Sequence, residues 1–378
     1  MNSRERLLAV LRKQKPDRIP WSPLIDGYYA SGVKTNAIEA ALATGADVMV
    51  RKVPVFARSV FVPHELPGNT DVEVSPLPLP PGIFRDSWID GDIVGRTYST
   101  PVGSLTERWR MVDSSPYIPF PIEHLVKGRD DIAAYRYLVE HEEFAPAFEA
   151  FEKVDARIGD RGIATATMPH TPIQHLLIIH MGISEFYYTL NDHRAEMTDL
   201  MDLMHQRNLE VIGIMRDSPA EVCIQYENTG TSYVSPKMYE QFEMPPIDVY
   251  ADMLHSASKI YLVHMCGQLK GLADLIGRGR QDGSADIAPP PTGDWTLADA
   301  RRAWPDKIIV GGLDSVGMVT CSPDEAAQHA REVLRSVAPG HGIILGSGDA
   351  VALGTPPENL QAVTKVVEEI GAYPLSWS

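Results

Sequence analysis

Lys259-Ile-Tyr-Leu-Val-His-Met-Cys-Gly-Gln268 sets a short apolar run directly before two side chains of metal-binding type. Ile260 to Val263 read as a buried strand. His264 and Cys266 follow at its end, two residues apart. On an extended chain that spacing puts both side chains on one face. Gly267 then lets the backbone turn away. An imidazole and a potential thiolate presented together at a strand tip are two of the ligands a zinc ion favours. The alternative is a hydrogen-bonded histidine beside a buried free cysteine, a common fate for cysteine. The surroundings decide between the two.

The chain has 378 residues, enough for a large core built as two small domains or as one barrel with an extension. No run of about 18 apolar residues occurs, so no membrane span is expected. The start, Met1-Asn-Ser-Arg-Glu-Arg-Leu-Leu, has no long apolar stretch, so no secretory signal is expected. Three cysteines, Cys223, Cys266 and Cys321, are too few for a disulfide framework and fit a reducing, cytoplasmic setting. A formal net charge of −16 argues against nucleic-acid binding, which needs a basic face.

Working outward from the opening strand, segments of strand and helix character alternate from about Asp130 to the end. Gly162-Ile-Ala-Thr-Ala-Thr-Met168 is strand-like and ends at Pro169-His170. Glu221-Val-Cys-Ile-Gln-Tyr-Glu227 is a strand followed by Asn228. Ala285-Asp-Ile-Ala288, Lys307-Ile-Ile-Val310 and Gly342-Ile-Ile-Leu345 follow, the last two leading into Gly311-Gly-Leu-Asp314 and Gly346-Ser-Gly-Asp349. Such alternation implies a parallel sheet with helical crossovers. Polar clusters sit at the carboxyl ends of the strands, where (β/α)8 barrels and doubly wound sheets both bind ligands. No Gly-x-Gly-x-x-Gly follows a first strand, which speaks against a dinucleotide-binding domain.

Earlier in the chain, Ser3 to Lys13 predicts a helix capped by Ser3. Ile19 to Ile25 predicts an extended segment, and Asp47-Val-Met-Val50 a strand. Residues 50–120 predict an irregular, proline-rich β insertion. Within it Ile93–Ser99 and Leu105–Val112 form a hairpin, with Arg108 and Arg110 on one strand face. That face is either solvated or a contact to a carboxylate or phosphate.

Arg4-Glu-Arg-Leu-Leu-Ala-Val-Leu11, Pro16-Asp-Arg-Ile-Pro20, Val234-Ser-Pro-Lys-Met-Tyr-Glu-Gln-Phe242, His264-Met-Cys-Gly267 and Gly354-Thr-Pro-Pro-Glu-Asn359 occur in an order that resembles the uroporphyrinogen decarboxylase superfamily. The resemblance is to its methyltransferase branch, the methylcobalamin:coenzyme M and corrinoid-dependent methyltransferases. It covers nearly the whole chain and is weakest over 50–120. It implies an α/β fold, a single (β/α)8 TIM barrel over 1–378, with an N-terminal helical extension over about 1–18. The decarboxylases proper carry an arginine-rich N-terminal motif. The corresponding Trp21-Ser-Pro-Leu-Ile-Asp-Gly-Tyr-Tyr29 has no arginine, which favours the methyltransferase branch.

In thiol-methylating members of that family, zinc takes a His-x-Cys pair and a further cysteine after the last strand. Here that loop reads Gly346-Ser-Gly-Asp-Ala350, without cysteine. Glu227 is the candidate third ligand, with Asp349 and Cys321 behind it. Catalytic roles are therefore expected for Glu227, His264 and Cys266. Tyr28, Tyr29, His170, Asn228 and Asp314 are candidates for substrate contact. The two tyrosines are alternatively surface or dimer-interface residues, which keeps a homodimer open. The function so implied is zinc-dependent methyl transfer between a small O-methyl donor, such as a methoxylated aromatic, and a corrinoid (cobalamin) on a partner protein. Transfer from methylcobalamin to a thiol or tetrahydrofolate is the nearest alternative. A metal-independent lyase of the decarboxylase kind, using Asp26 and Asp349, is another. A non-catalytic protein that docks a corrinoid carrier is the third.

Overall fold

The computed structural model describes residues 1–62, 74–112 and 115–377. Seven parallel strands form one sheet in chain order: β1 (Val48–Val53), β2 (Gly162–Thr167), β3 (Val222–Tyr226), β4 (Ile260–His264), β5 (Gly283–Ile287), β6 (Ile308–Leu313) and β7 (Ile343–Ser347). Trp21 makes a parallel bridge to Leu345 of β7, and its carbonyl accepts a hydrogen bond from Asp47 beside β1. The extended segment before residue 25 thus takes the eighth place, between the last strand and the first. A barrel-like α/β fold results, the parallel-sheet arrangement that the family resemblance implies.

Each strand splits its side chains between two cores. Met49, Ile163, Val222, Ile224, Ile260, Leu262, Ala285, Ile308, Val310 and Ile344 fill the inside of the ring. Their alternates, such as Cys223, Tyr261, Val263, Ile309 and Leu345, pack outward against the helices. Such parity follows from the two-residue period of a strand.

The first helix, α1 (Ser3–Leu11), closes the amino-terminal end of the ring. Leu7, Val10 and Leu11 join the inner core. Asn2, rather than Ser3, caps it, accepting from the Glu5 backbone N–H while Glu5 reaches back to Asn2 N–H. Arg6 anchors it to Asp17 at 2.6 Å and to the buried Asp47 at 2.5 Å. Leu7 is fully buried there. Leu7→Ala is expected to lower unfolding stability by about 2–5 kcal/mol, measured by urea denaturation. A loss under about 1 kcal/mol would mean that α1 is not part of the cooperative unit.

Between β1 and β2 lies an antiparallel four-stranded sheet, Phe84–Asp90, Ile93–Thr100, Gly103–Val112 and Ser115–Glu123. Its central hairpin pairs Ile93 with Arg110 through to Thr100 with Gly103, as the sequence predicts. Arg108 pairs with Glu123 at 2.5 Å and Arg110 with Asp92 at 3.1 Å, so both arginines have partners inside the insertion. The proline-rich reading of residues 63–73 lies outside the described residues. Among the described residues, no helix is long and apolar enough to cross a membrane.

Candidate metal centre

His264 is the last residue of β4 and has inward parity, like Ile260 and Leu262 before it. Cys266 follows in the loop. Gly267 is needed there because the loop crosses the chain at Thr229–Gly230. A Cβ on Gly267 would sit 2.6 Å from the Thr229 carbonyl oxygen. Asp349 arrives from the loop after β7. The ligand atoms of His264, Cys266 and Asp349 all lie within 4.8 Å of one another. His264 Nε2 is 3.8 Å from Asp349 Oδ1. Nitrogen, sulfur and oxygen donors therefore converge at the carboxyl end of the strands. His264 is nearly buried, whereas the Asp349 side chain is 39% exposed, so the group opens outward.

The other imidazole nitrogen is held from behind. His264 Nδ1 is 2.6 Å from Asp286 Oδ2, which also accepts from the buried Arg51 guanidinium. Burial pushes the Asp286 carboxyl up. The Arg51 charge and the His264 hydrogen bond outweigh that, and it stays below the usual carboxylate range. Asp286 reaches this position because β5 is bulged. The register against β6 shifts between Ser284 and Ile287, and Asp286 has φ of 66°. Gly311 on β6 makes room for the bulge, since a Cβ there would lie 2.5 Å from Ile287 N. Simple alternation from the inward Ala285 puts Asp286 on the outer face, whereas the bulge turns it inward and gives the outer place to Ile287. Tyr226 completes this wall, its ring 5.3 Å from that of His264.

Glu227, the sequence's candidate for the third ligand, is not in the group. It continues the outward parity of Cys223 and Gln225, opposite to that of His264. Its carboxylate accepts hydrogen bonds from Thr171 N–H at 2.9 Å and from the Thr171 hydroxyl, within the helix layer. Cys321 is not in the group either. With Asp314 it lines a separate cleft beside His329 that contains none of the three ligand residues. Asp314 accepts from Val316 N–H at 3.1 Å, a turn-capping bond. Tyr29 is buried in the main core, and Tyr28 is half-buried on the short helix Gly27–Gly32. One of the substrate-contact candidates lies at the group, and another lies beside Glu227. Asn228, with φ of 48°, puts Oδ1 3.8 Å from Cys266 Sγ. His170 Nδ1 lies 3.9 Å from Glu227, and burial pushes its pKa down to about 4, so it is neutral at ordinary pH.

Burial first, then the Asp349 and Asp286 carboxylates, push the Cys266 thiol above its ordinary value. A metal bound there must displace the thiol proton. Arg51, Lys52, Tyr226 and Asp286 were all missed in the sequence. A charged residue inside the apolar run Ala285-Asp-Ile-Ala288 is the signal that marks Asp286.

Behind Glu227 sits a second buried carboxyl, Glu243. It accepts from Gln174 Nε2 at 3.0 Å and from the Thr229 hydroxyl. Burial pushes both carboxyls up, and Glu243 raises Glu227 further. An unfolded glutamate ionises near pH 4.3, before these do. The folded protein then holds the extra protons, and stability falls as pH rises from there toward neutrality. Glu243→Gln is expected to flatten that fall in urea midpoints measured across pH 4 to 8. An unchanged slope would count against a protonated pair.

A barrel with a donor cluster at the carboxyl ends of its strands is the architecture of an enzyme. The sequence model for uroporphyrinogen decarboxylase (URO-D) matches residues 110–370, more than half of the chain, and the chain belongs to that family. Curated relatives match over shorter stretches. The uroporphyrinogen decarboxylase of Nitrosomonas europaea is 34% identical over 76 residues, 20% of this chain and 21% of the relative. That of Anaeromyxobacter dehalogenans is 26% identical over 133 residues, 35% of this chain and 36% of the relative. The chain thus aligns with only about a fifth to a third of the length of these relatives. Among solved structures, a methyltransferase from Methanosarcina mazei shares the fold, with a TM-score of 0.62 at 16% identity over 98% of this chain and 99% of that one.

Proposed function

We propose that this protein is a zinc-dependent methyltransferase. It would move a methyl group between a small O-methyl donor, such as a methoxylated aromatic, and a corrinoid carried by a partner protein. The observation that carries the reading is the convergence of His264, Cys266 and Asp349 in front of a buried Asp286. One imidazole, one thiol and one carboxylate form a donor set that suits zinc. A carboxylate behind the coordinating imidazole is the usual support for such a ligand. Zinc held by these three residues supplies Lewis acidity toward an ether oxygen or a thiol.

The chain's own residues do the rest. Asp286 fixes the His264 ring and leaves Nε2 facing outward. Tyr226 walls one side of that ring. Asn228 Oδ1 accepts from the Cys266 thiol in the metal-free site, and this holds the sulfur in place until a metal displaces its proton. Neutral His170 can exchange a hydrogen bond with a substrate oxygen at the rim without adding charge. The fold-wide likeness to the methyltransferase from Methanosarcina mazei is in keeping with the reading. The three free cysteines fit a cytoplasmic setting.

The runner-up is a metal-independent lyase, favoured by the names of the curated relatives. It asks Asp26 and Asp349 to act on substrate, and of these Asp349 does stand at the open end of the strands. Asp26 is buried, and its carboxylate accepts from Tyr28 and Tyr29 N–H as a helix cap. The decisive test is metal content of the purified protein together with methyl transfer from a methoxylated aromatic to a cobalt(I) corrinoid. Absence of stoichiometric metal, with His264→Ala fully active, would sink the proposal.

A further inference from the structure

We infer that Lys52 binds the anionic end of the small substrate, which makes that substrate a carboxylate rather than a neutral molecule. This rests on the reading of His264, Cys266 and Asp349 as the reacting centre.

The case begins with strand parity. On β1, Val48 and Val50 point outward and Met49 inward. Arg51 points inward too, and its guanidinium pairs with Asp286. The next position should send Lys52 outward, into the layer between sheet and helices. The strand avoids this with one extra residue. The register against β2 shifts between Val50 and Val53, and Lys52 has φ of 59°, a conformation L residues rarely adopt. Val53 then takes the outer core position. The Lys52 ammonium ends 5.3 Å from the centroid of Tyr226, an inward residue, and is exposed.

Two non-glycine residues within barrel strands have this left-handed backbone at a bulge, Lys52 and Asp286. The distortion at Asp286 delivers a carboxylate to His264 and Arg51. The distortion at Lys52 delivers a cation to the mouth, and among the described residues no carboxylate pairs with it. Backbone strain of this kind persists where the surrounding structure imposes it and gathers at ligand sites. Arg51 cannot serve the same purpose, because its guanidinium is enclosed and held by Asp286. Tyr226 lies 5.3 Å from both the Lys52 ammonium and the His264 ring, so Lys52 and the reacting centre flank one aromatic side chain, a separation that a small molecule can bridge. A cation is also what such a substrate needs here. The chain carries a formal net charge of −16, so its general field repels anions, and only a local positive group can draw one in.

The test is calorimetric titration of zinc-loaded and metal-free protein with 4-methoxybenzoate and its neutral counterpart 4-methoxybenzamide, and with 3-methoxypropionate and its amide. At least one carboxylate is expected to bind about tenfold or more tightly than its amide, the scale of one charged hydrogen bond. That preference should vanish in Lys52→Gln and survive in part in Lys52→Arg, with zinc content and melting temperature unchanged in both. A wild type with no preference in either pair, including no binding at all, overturns the inference. So does a Lys52→Gln variant that keeps the preference. If the protein holds no zinc but the charge preference and its loss persist, the metal reading falls and the role of Lys52 stands.

Discussion

Cys266→Ser is expected to lose the metal and all measurable turnover while melting within roughly a few degrees of the wild type. The reason lies in the position of the thiol. Cys266 is half-buried in a loop, and its Sγ faces polar groups, Asn228 Oδ1 at 3.8 Å and the Asp349 carboxylate. No core packing depends on it. A serine hydroxyl fills the same space but does not ionise readily, so the site keeps an imidazole and a carboxylate and loses its only soft donor. Asp349→Asn should weaken metal binding in the same direction. Glu227→Gln should leave metal content at the wild-type value, because the Glu227 carboxylate is held by Thr171 on the other face of the sheet. Elemental analysis of the variants separates these outcomes. Full zinc occupancy in Cys266→Ser, or its loss in Glu227→Gln, would reverse the ligand assignment.

The second large effect is on stability. Asp286→Ala leaves the Arg51 guanidinium buried with no counter-charge, and the expected cost is about 3–5 kcal/mol in denaturant unfolding. Both side chains are almost fully enclosed, at 1% and 0% exposure, so solvent screening relieves little of it. The double variant Arg51→Met/Asp286→Ala should recover most of the loss, because a buried pair replaced by apolar groups is often neutral. It should still bind zinc about 10–100-fold more weakly, since His264 loses its acceptor. The pH dependence has a definite sign. The Asp286 carboxyl is held below its unfolded value near 3.9. Its contribution is therefore complete above about pH 4 and lost as pH falls further. A single variant as stable as the wild type would rule out the pair as a structural support.

How much of this was legible in the sequence differs from element to element. The barrel strands read clearly because each is a short β-branched run ending in polar or glycine residues, as at Ile343–Ser347. His264 and Cys266 read clearly because they share a parity and sit two apart. Glu227 and His264 both stand at strand ends, and nothing local says that their strands are one residue out of phase. That phase emerges only when His264 pairs with Tyr226 rather than with Glu227. Lys52 and Asp286 were illegible for a related reason. Alternation assigns them outward, and the bulges that turn them inward depend on neighbouring strands. Asp349 was visible as a charged residue in the last loop, but only the closure of the ring brings it to His264.

The helix α1 has a kinetic consequence. It stoppers one end of the barrel with Leu7, Val10 and Leu11, so whatever reaches His264 arrives and leaves through the opposite mouth. On the proposed function, a protein-borne methyl carrier seated on that mouth would cover the way out, as the described residues leave it, for a small molecule beneath it. Binding would then be compulsory in order, with the small substrate first and the carrier second, and release would run in reverse. Steady-state patterns should follow: excess carrier protein inhibits by occupying the empty mouth, and excess small substrate does not.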